Sequence, residues 1–168
     1  MSQRSDTDRQ SLFTEYYSKF YNEFYRYAFY FMGNADDAED AVSEAVTLAF
    51  SKFESLRERD KFKYWFLRIL QNVCKTALKK RSGAPLPLYN SDDTAIDVPD
   101  TGLAEMDVSA ALRQLLDRLK PDDKSIVLMS VLSGYSSEEI AQALGMTAVN
   151  VRVRLFRALG SMRDALTH

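Results

Sequence analysis

SSEEIAQALGMTAVNVRVRLFRALGSMRDAL, residues 136–166, is the stretch on which the fold turns. Ser136 with Glu139 three residues later is a capping-box pattern and predicts a helix running to Leu144. Gly145 breaks that helix, and Thr147 can cap a second one. Helix, short glycine turn and arginine-rich helix together predict a helix-turn-helix. In the second helix Val151, Leu155, Ala158 and Met162 share the inward face. Val149, Arg152, Val153, Phe156 and Arg157 project outward, with Asn150 and Arg154 on the flank. Arginine forks pair with guanine edges and apolar groups meet thymine methyls, so the outward set fits major-groove readout. A solvated helix hairpin is the plainer alternative.

Working upstream, Pro121 suits a first helical turn, Ile126, Val127, Val131 and Leu132 give that helix an apolar face, and Gly134 ends it. Further back, SGAPLPLYNSDDTAIDVPDTG (82–102) has neither the 3.6 nor the 2.0 apolar period and reads as a linker. Almost all of 12–81 and 105–166 reads as helix. The expected fold is therefore all-α: a helical bundle over 1–81, a flexible acidic linker over 82–107, and a helix-turn-helix domain over 108–168.

Before the linker, a helix from about Lys61 to Arg81 has a core stripe of Phe62, Trp65, Phe66, Ile69, Val73 and Ala77. Another face gathers Tyr64, Arg68, Gln71, Asn72, Lys75 and Lys79, a basic ridge with one aromatic and two amides. Such a mixture suits phosphate contacts plus base-edge hydrogen bonds better than a solubilising face does. The helix expected over 36–53 buries Ala38, Val42, Ala45, Ala49 and Phe53 and opposes to them the acidic stripe Asp37, Asp40, Glu44. Asp36 with Glu39 resembles a cap, and helix-dipole logic covers Asp36 and Asp37 but not Asp40 and Glu44. Those two belong either to a solvated face or to a docking stripe for a basic partner. In LFTEYYSKFYNEFYRYAFYF (12–31) the aromatics run nearly all round the helix, which implies burial on more than one side.

Charge is segregated although the net charge is only -2. Residues 36–44 are acidic, 57–81 basic, 82–107 acidic without a base, and 147–163 carry arginines without an acid. Separate partners for separate segments follow, and opposing blocks can mask one another in the free protein, so that it binds DNA poorly. One cysteine, Cys74, excludes an internal disulfide and fits a reducing interior. With His168 as the lone histidine, a zinc site, a Ser-His-Asp triad and a Cys-His pair all lack residues. No glycine-rich phosphate loop occurs. No catalytic residue, metal or cofactor is expected. A polar start and the lack of a long apolar run predict no secretory signal, no membrane insertion and a cytoplasmic protein.

Four stretches in order resemble the extracytoplasmic-function class of bacterial sigma factors, the smallest members of the sigma-70 family. DDAEDAVSEAV (36–46) is similar to the family's core-binding helix. FKYWFLRILQNVCKTALKKR (62–81) resembles its promoter-melting helix, including Trp65, Arg68, Ile69 and Asn72. LDRLKPDDKSIVLMSVLSGYSSEEIAQALGM (116–146) followed by VNVRVRLFRAL (149–159) resembles its C-terminal helix-turn-helix. The resemblance implies that Asp37, Asp40 and Glu44 dock on the clamp coiled coil of the largest subunit of core RNA polymerase. It implies that loop 54–60 with Lys61, Tyr64, Arg68, Asn72, Lys75 and Lys79 takes the −10 element, duplex and then melted, with Asn72 as the leading base reader. It implies that Ser136, Asn150, Arg152, Val153, Arg154, Phe156 and Arg157 contact the −35 element, and that the acidic linker threads the polymerase's RNA path. An anti-sigma factor covering the acidic and recognition helices is the expected further partner.

The chain departs from the family where Leu and Gln become Ala41 and Ser43, where Gly-Thr becomes Val149-Asn150, where a Ser becomes Val153, and where Tyr64 replaces a small polar residue. A stand-alone helix-turn-helix regulator would leave the N-terminal helices without a role. The basic ridge argues against a sigma-like adaptor that binds no DNA. A metal-dependent nucleic-acid enzyme would need acids converging on one ion, and those of 36–44 are strung over two helical turns.

Overall fold

The computed structural model describes residues 2–83 and 110–167. Its order is α1 (Ser2–Met32), α2 (Ala35–Ser51), α3 (Phe62–Gly83), α4 (Ala110–Asp117), α5 (Pro121–Val127), α6 (Ser137–Leu144) and α7 (Ala148–Leu166). Short 3-10 turns at Phe53–Ser55 and Arg59–Lys61 join α2 to α3, and a π-helical turn, Leu128–Leu132, prolongs α5. No strand occurs among the described residues, as an all-α fold requires. Beyond Gly83, the expected linker and its path lie outside the described residues.

Local chemistry places the helix ends. Asn34, in extended backbone, accepts a hydrogen bond from the Asp37 N–H and starts α2. The cap is thus Asn34, two residues before the expected Asp36, because Gly33 with φ 89° turns the chain sharply enough to put Asn34 at that position. Ser136 and Thr147 cap α6 and α7 by accepting from the Glu139 and Asn150 N–H groups. Gly145, at φ 69°, ends α6 in the left-handed region.

α1 is the central element. From Phe24 to Met32 every side chain except Arg26 is buried, so this half of the helix needs neighbours all round. On one side α2 and α3 supply them: Phe24 stacks on Phe66 at 4.3 Å, and Phe13 meets Phe50, Phe53 and Phe62 edge-on at 5.3–5.6 Å. Each such ring contributes about 1.5–3 kcal/mol on burial. On the other side stands the C-terminal domain, where the Tyr27 hydroxyl lies 2.7 Å from Ser125 Oγ.

Three cations close the C-terminal end of α1. Lys124 Nζ donates to the Phe31 carbonyl at 2.9 Å, Arg81 Nη1 to that of Met32 at 2.9 Å, and Arg113 Nη1 to that of Gly33 at 3.3 Å. The last carbonyls of a helix have no partner within it and carry its negative dipole end, so cations belong there. Two of the three come from the C-terminal domain. Lys124 is only 2% exposed. Burial pushes its ammonium pKa down, and Asp117 at 3.0 Å works against that.

Candidate nucleic-acid interface

α7 turns a distinct surface outward. Val151 and Ala158 are buried, whereas Phe156 is 80%, Val149 63% and Val153 41% exposed. Asn150, Arg152 and Arg157 are exposed beside them. A phenylalanine this bare contributes nothing to the protein's own core; flanked by arginines, it is built for an external surface. Arg152 pairs with Glu138 at 3.0 Å, between two exposed side chains, a pair that costs little to break. Arg154 differs. Its Nε binds Asp123 Oδ1 at 2.7 Å, with Asp122 at 3.9 Å, so its guanidinium ties α7 to the start of α5. Ser136 caps the start of α6, accepting from the Glu139 N–H, and its hydroxyl also hydrogen-bonds the Glu138 carboxylate.

α3 carries the second basic surface, with its residues in unlike states. Asn72 and Lys79 are exposed, and Lys61 pairs with Glu58 at 2.9 Å on the surface, which raises the lysine's pKa. Gln71 is 5% exposed: it keeps the ridge position that its spacing assigned, three residues after Arg68 and four before Lys75, but is buried there. Tyr64 is half-buried, its ring 5.3 Å from that of Tyr135 and at 69° to it. Lys75 Nζ meets Asp122 Oδ1 at 2.7 Å, and Arg68 runs past Gly145, its Nη2 3.5 Å from where a β-carbon would stand. The C-terminal domain therefore lies directly on part of this face.

The connector before α3 adds a residue that sequence spacing missed. Arg59 places its guanidinium 4.3 Å from the centre of the Phe53 ring, while its Nη1 is shielded and has no hydrogen-bond partner among the described residues. Alternating charges in ESLRERD gave no periodic signal that could single it out.

On α2, Asp40 and Glu44 are exposed, in line with Ser43, Thr47 and Leu48. Asp37 is engaged at 2.9 Å by Arg81 and at 2.9 Å by the Asn34 side-chain amide, so it locks the α2 start to the α3 end. Ala41 is 3% exposed, which makes the loss of a larger side chain there a packing change. Among the described residues no group of three metal-ligating side chains converges, and no helix is long and apolar enough to cross a membrane.

Residues 16–83 match the family described as Sigma-70 region 2, and 109–162 match Sigma-70, region 4. Over 145 residues the chain is 33% identical to the RNA polymerase sigma factor SigV of Bacillus subtilis, covering 86% of this chain and 85% of that one. The chain belongs to the sigma-70 family, in its extracytoplasmic-function class. Its likeness to the ECF sigma factor SigE of Mycolicibacterium smegmatis is 27% over 146 residues, 84% of this chain and 56% of that protein. The fold is that of CnrH, solved in complex with the cytosolic domain of CnrY (TM-score 0.69, 17% identity, 98% of this chain and 94% of that one). It is equally that of the Bartonella quintana sigma factor RpoE, solved with the anti-sigma factor NepR (TM-score 0.67, 19% identity, 92% and 98%). As a sigma factor, the protein binds core RNA polymerase and directs initiation at promoters, with region 2 serving the −10 element and region 4 the −35 element.

Proposed function

We propose a residue-level division of that work. Asp40 and Glu44, with Asp37 bracing the helix behind them, meet the basic clamp coiled coil of the polymerase's largest subunit. Lys61, Tyr64, Arg68, Asn72, Lys75 and Lys79 take the −10 element, where Asn72 reads a base of the separated non-template strand and the cations hold phosphates. Flipping a base out costs a few kcal/mol, stacking returns about 1–3 kcal/mol per base, and each neutralised phosphate adds a salt-dependent gain. That balance needs no hydrolysis, so the protein acts in the cytoplasm by binding alone and not as an enzyme. Asn150, Arg152, Val153, Phe156 and Arg157 read the −35 duplex; Ser136 donates to a phosphate; Arg154 fixes the angle of α7. The domains are 1–81 and 108–168, joined by 82–107.

The observation that carries this reading is the bare Phe156 between exposed Arg152 and Arg157 on a helix whose opposite face is buried. An anti-sigma factor is the further partner, as NepR is for the Bartonella quintana RpoE, and the apolar side of α7 with the exposed side of α2 are the surfaces it covers. Run-off transcription with core polymerase and a promoter library tests the whole: discrete starts must appear only when the protein is added. Tight, sequence-specific gel shifts without polymerase would instead identify a stand-alone regulator.

A further inference from the structure

Between α1 and α2 runs a groove that the protein's own side chains leave unfilled. Tyr17, Tyr21 and Tyr25, four residues apart on α1, line it with Glu39, Val42 and Ser43 of α2, around a volume of 470 Å³. One water takes up about 30 Å³, so a long side chain has room there. The rings follow one another along the groove: Tyr17 meets Tyr21 edge-on at 5.7 Å, and Tyr21 stacks on Tyr25 at 6.2 Å. Tyr21 is 38% exposed, which leaves part of its ring open to solvent. Tyr25 is 3% exposed, and its hydroxyl oxygen is shielded with no hydrogen-bond partner among the described residues. A buried phenol left unpaired is costly, and an occupant of the groove relieves that cost. Burial first, and then Glu39, raises the Tyr25 pKa, so the phenol stays neutral and its oxygen can accept.

The charge along the groove is negative. Glu39 lines it, Asp36 acts on the Tyr25 phenol, and no lining side chain is cationic. Asp40 and Glu44 directly follow Glu39 and Ser43 and carry the acidic surface on along α2. Ser43, shorter than the glutamine common in the family, leaves the mouth of the groove open. Ring faces, a carboxylate and a buried acceptor together select a flat cation. A guanidinium lies on an aromatic ring while its N–H groups donate sideways, whereas an ammonium is a compact, strongly hydrated point charge.

We propose that this groove takes an arginine side chain of the core polymerase clamp, its plane against Tyr21 and its N–H groups on Glu39 and the Tyr25 oxygen. This rests on the reading of the exposed side of α2 as the clamp surface, and it extends that surface onto α1. The acidic stripe supplies the attraction; the tyrosines supply the choice of arginine.

The experiment titrates terminally labelled full-length protein with purified core enzyme, reading anisotropy, with urea unfolding of every variant alongside. Tyr25→Phe keeps the ring and removes only the unpaired oxygen, so stability should hold while core affinity falls roughly fivefold or more. Tyr21→Leu should weaken binding by a similar factor, whereas Tyr21→Trp, the stronger face for a cation, should keep or tighten it. Replacing the clamp arginines of core one at a time by lysine must reveal one at which Tyr25→Phe and Tyr21→Leu have no further effect. Full binding by Tyr21→Leu would make the occupant apolar, and the absence of any coupled arginine would make it another group; either overturns the proposal. Self-association of the free protein that Tyr25→Phe abolishes would put a second copy in the groove and overturns it too. If the tyrosine variants bind normally while Asp40→Ala and Glu44→Ala lose affinity, only the groove fails. If those two lose nothing either, the clamp reading of α2 falls with it.

Discussion

Three arginines of α7 lie within six residues of one another, and the structure separates what each loses on truncation. Arg152→Ala breaks one pair, to Glu138, between side chains 52% and 70% exposed. A pair of that kind is worth about 0–1 kcal/mol, so the unfolding midpoint should scarcely move. Arg157→Ala removes an exposed side chain and should likewise stay within about 0.5 kcal/mol. If each arginine forks onto a guanine, its loss removes about 1–3 kcal/mol of discrimination at one base pair, roughly 5- to 150-fold in relative promoter strength. Arg154→Ala should show the reverse pattern. Its guanidinium is 25% exposed and bonded at 2.7 Å to Asp123, itself 23% exposed, so truncation should cost about 1–2 kcal/mol of stability. Transcription should then fall on all promoters alike. The assay is run-off initiation on a panel carrying every single-base change in the −35 element, with urea unfolding of each variant alongside. If Arg152→Ala and Arg157→Ala keep the wild-type base preference, or Arg154→Ala relaxes it, the assignment of the reading face is wrong.

Asp40→Ala and Glu44→Ala should each weaken core-polymerase affinity roughly tenfold, about 1.4 kcal/mol, with stability unchanged. Asp37→Ala should instead lower stability by about 1 kcal/mol through the freed Arg81, as read by thermal unfolding. Lys124→Met should destabilise by about 1–2 kcal/mol in urea, since the Phe31 carbonyl loses its donor while half-exposed Asp117 regains water. Alkaline pH should destabilise the fold. Burial raises the pKa of Tyr27, of Tyr135 and of Cys74, the last to about 12, so the stability these groups contribute is complete below their unfolded values and is lost as pH rises through the raised ones. Lys124, whose pKa burial lowers, acts oppositely, because the cost of its charge fades toward high pH, but it is one group against three. Tyrosinate absorbance lagging behind a free-tyrosine curve, then rising together with unfolding, checks this.

The helix-turn-helix could be read from the sequence because its signals are local: two hydroxyl caps, one left-handed glycine and an apolar face with the helical period. The aromatic crowding of α1 correctly implied burial on several sides, since no single neighbour can cover a helix that is apolar all round. What the sequence concealed is tertiary. α1 begins at Ser2, ahead of any apolar period, and its early turns are tied down by Arg9, which donates to the Phe50 carbonyl at 2.6 Å and pairs with Glu54 at 3.4 Å. Gln71 holds its place on the basic ridge, but a polar amide gives no hint that the position is buried. The sequence around Tyr64 gives no sign that Tyr135, from beyond the linker, meets its ring. Nothing in PDDK marks Lys124 for burial, which follows from where α1 ends.

Asp122 and Tyr135 of the C-terminal domain lie against Lys75 and Tyr64 on α3. The α7 face, with Phe156 80% exposed, is left open. The most direct test follows labelled protein as it binds purified core enzyme at low salt, reading energy transfer between the two domains and the permanganate reactivity of −10 thymines in one titration. The account predicts saturable binding, a fall in transfer at the same midpoint, and thymine reactivity only in the presence of core. Promoter opening by the free protein, or no association with core at all, would contradict it.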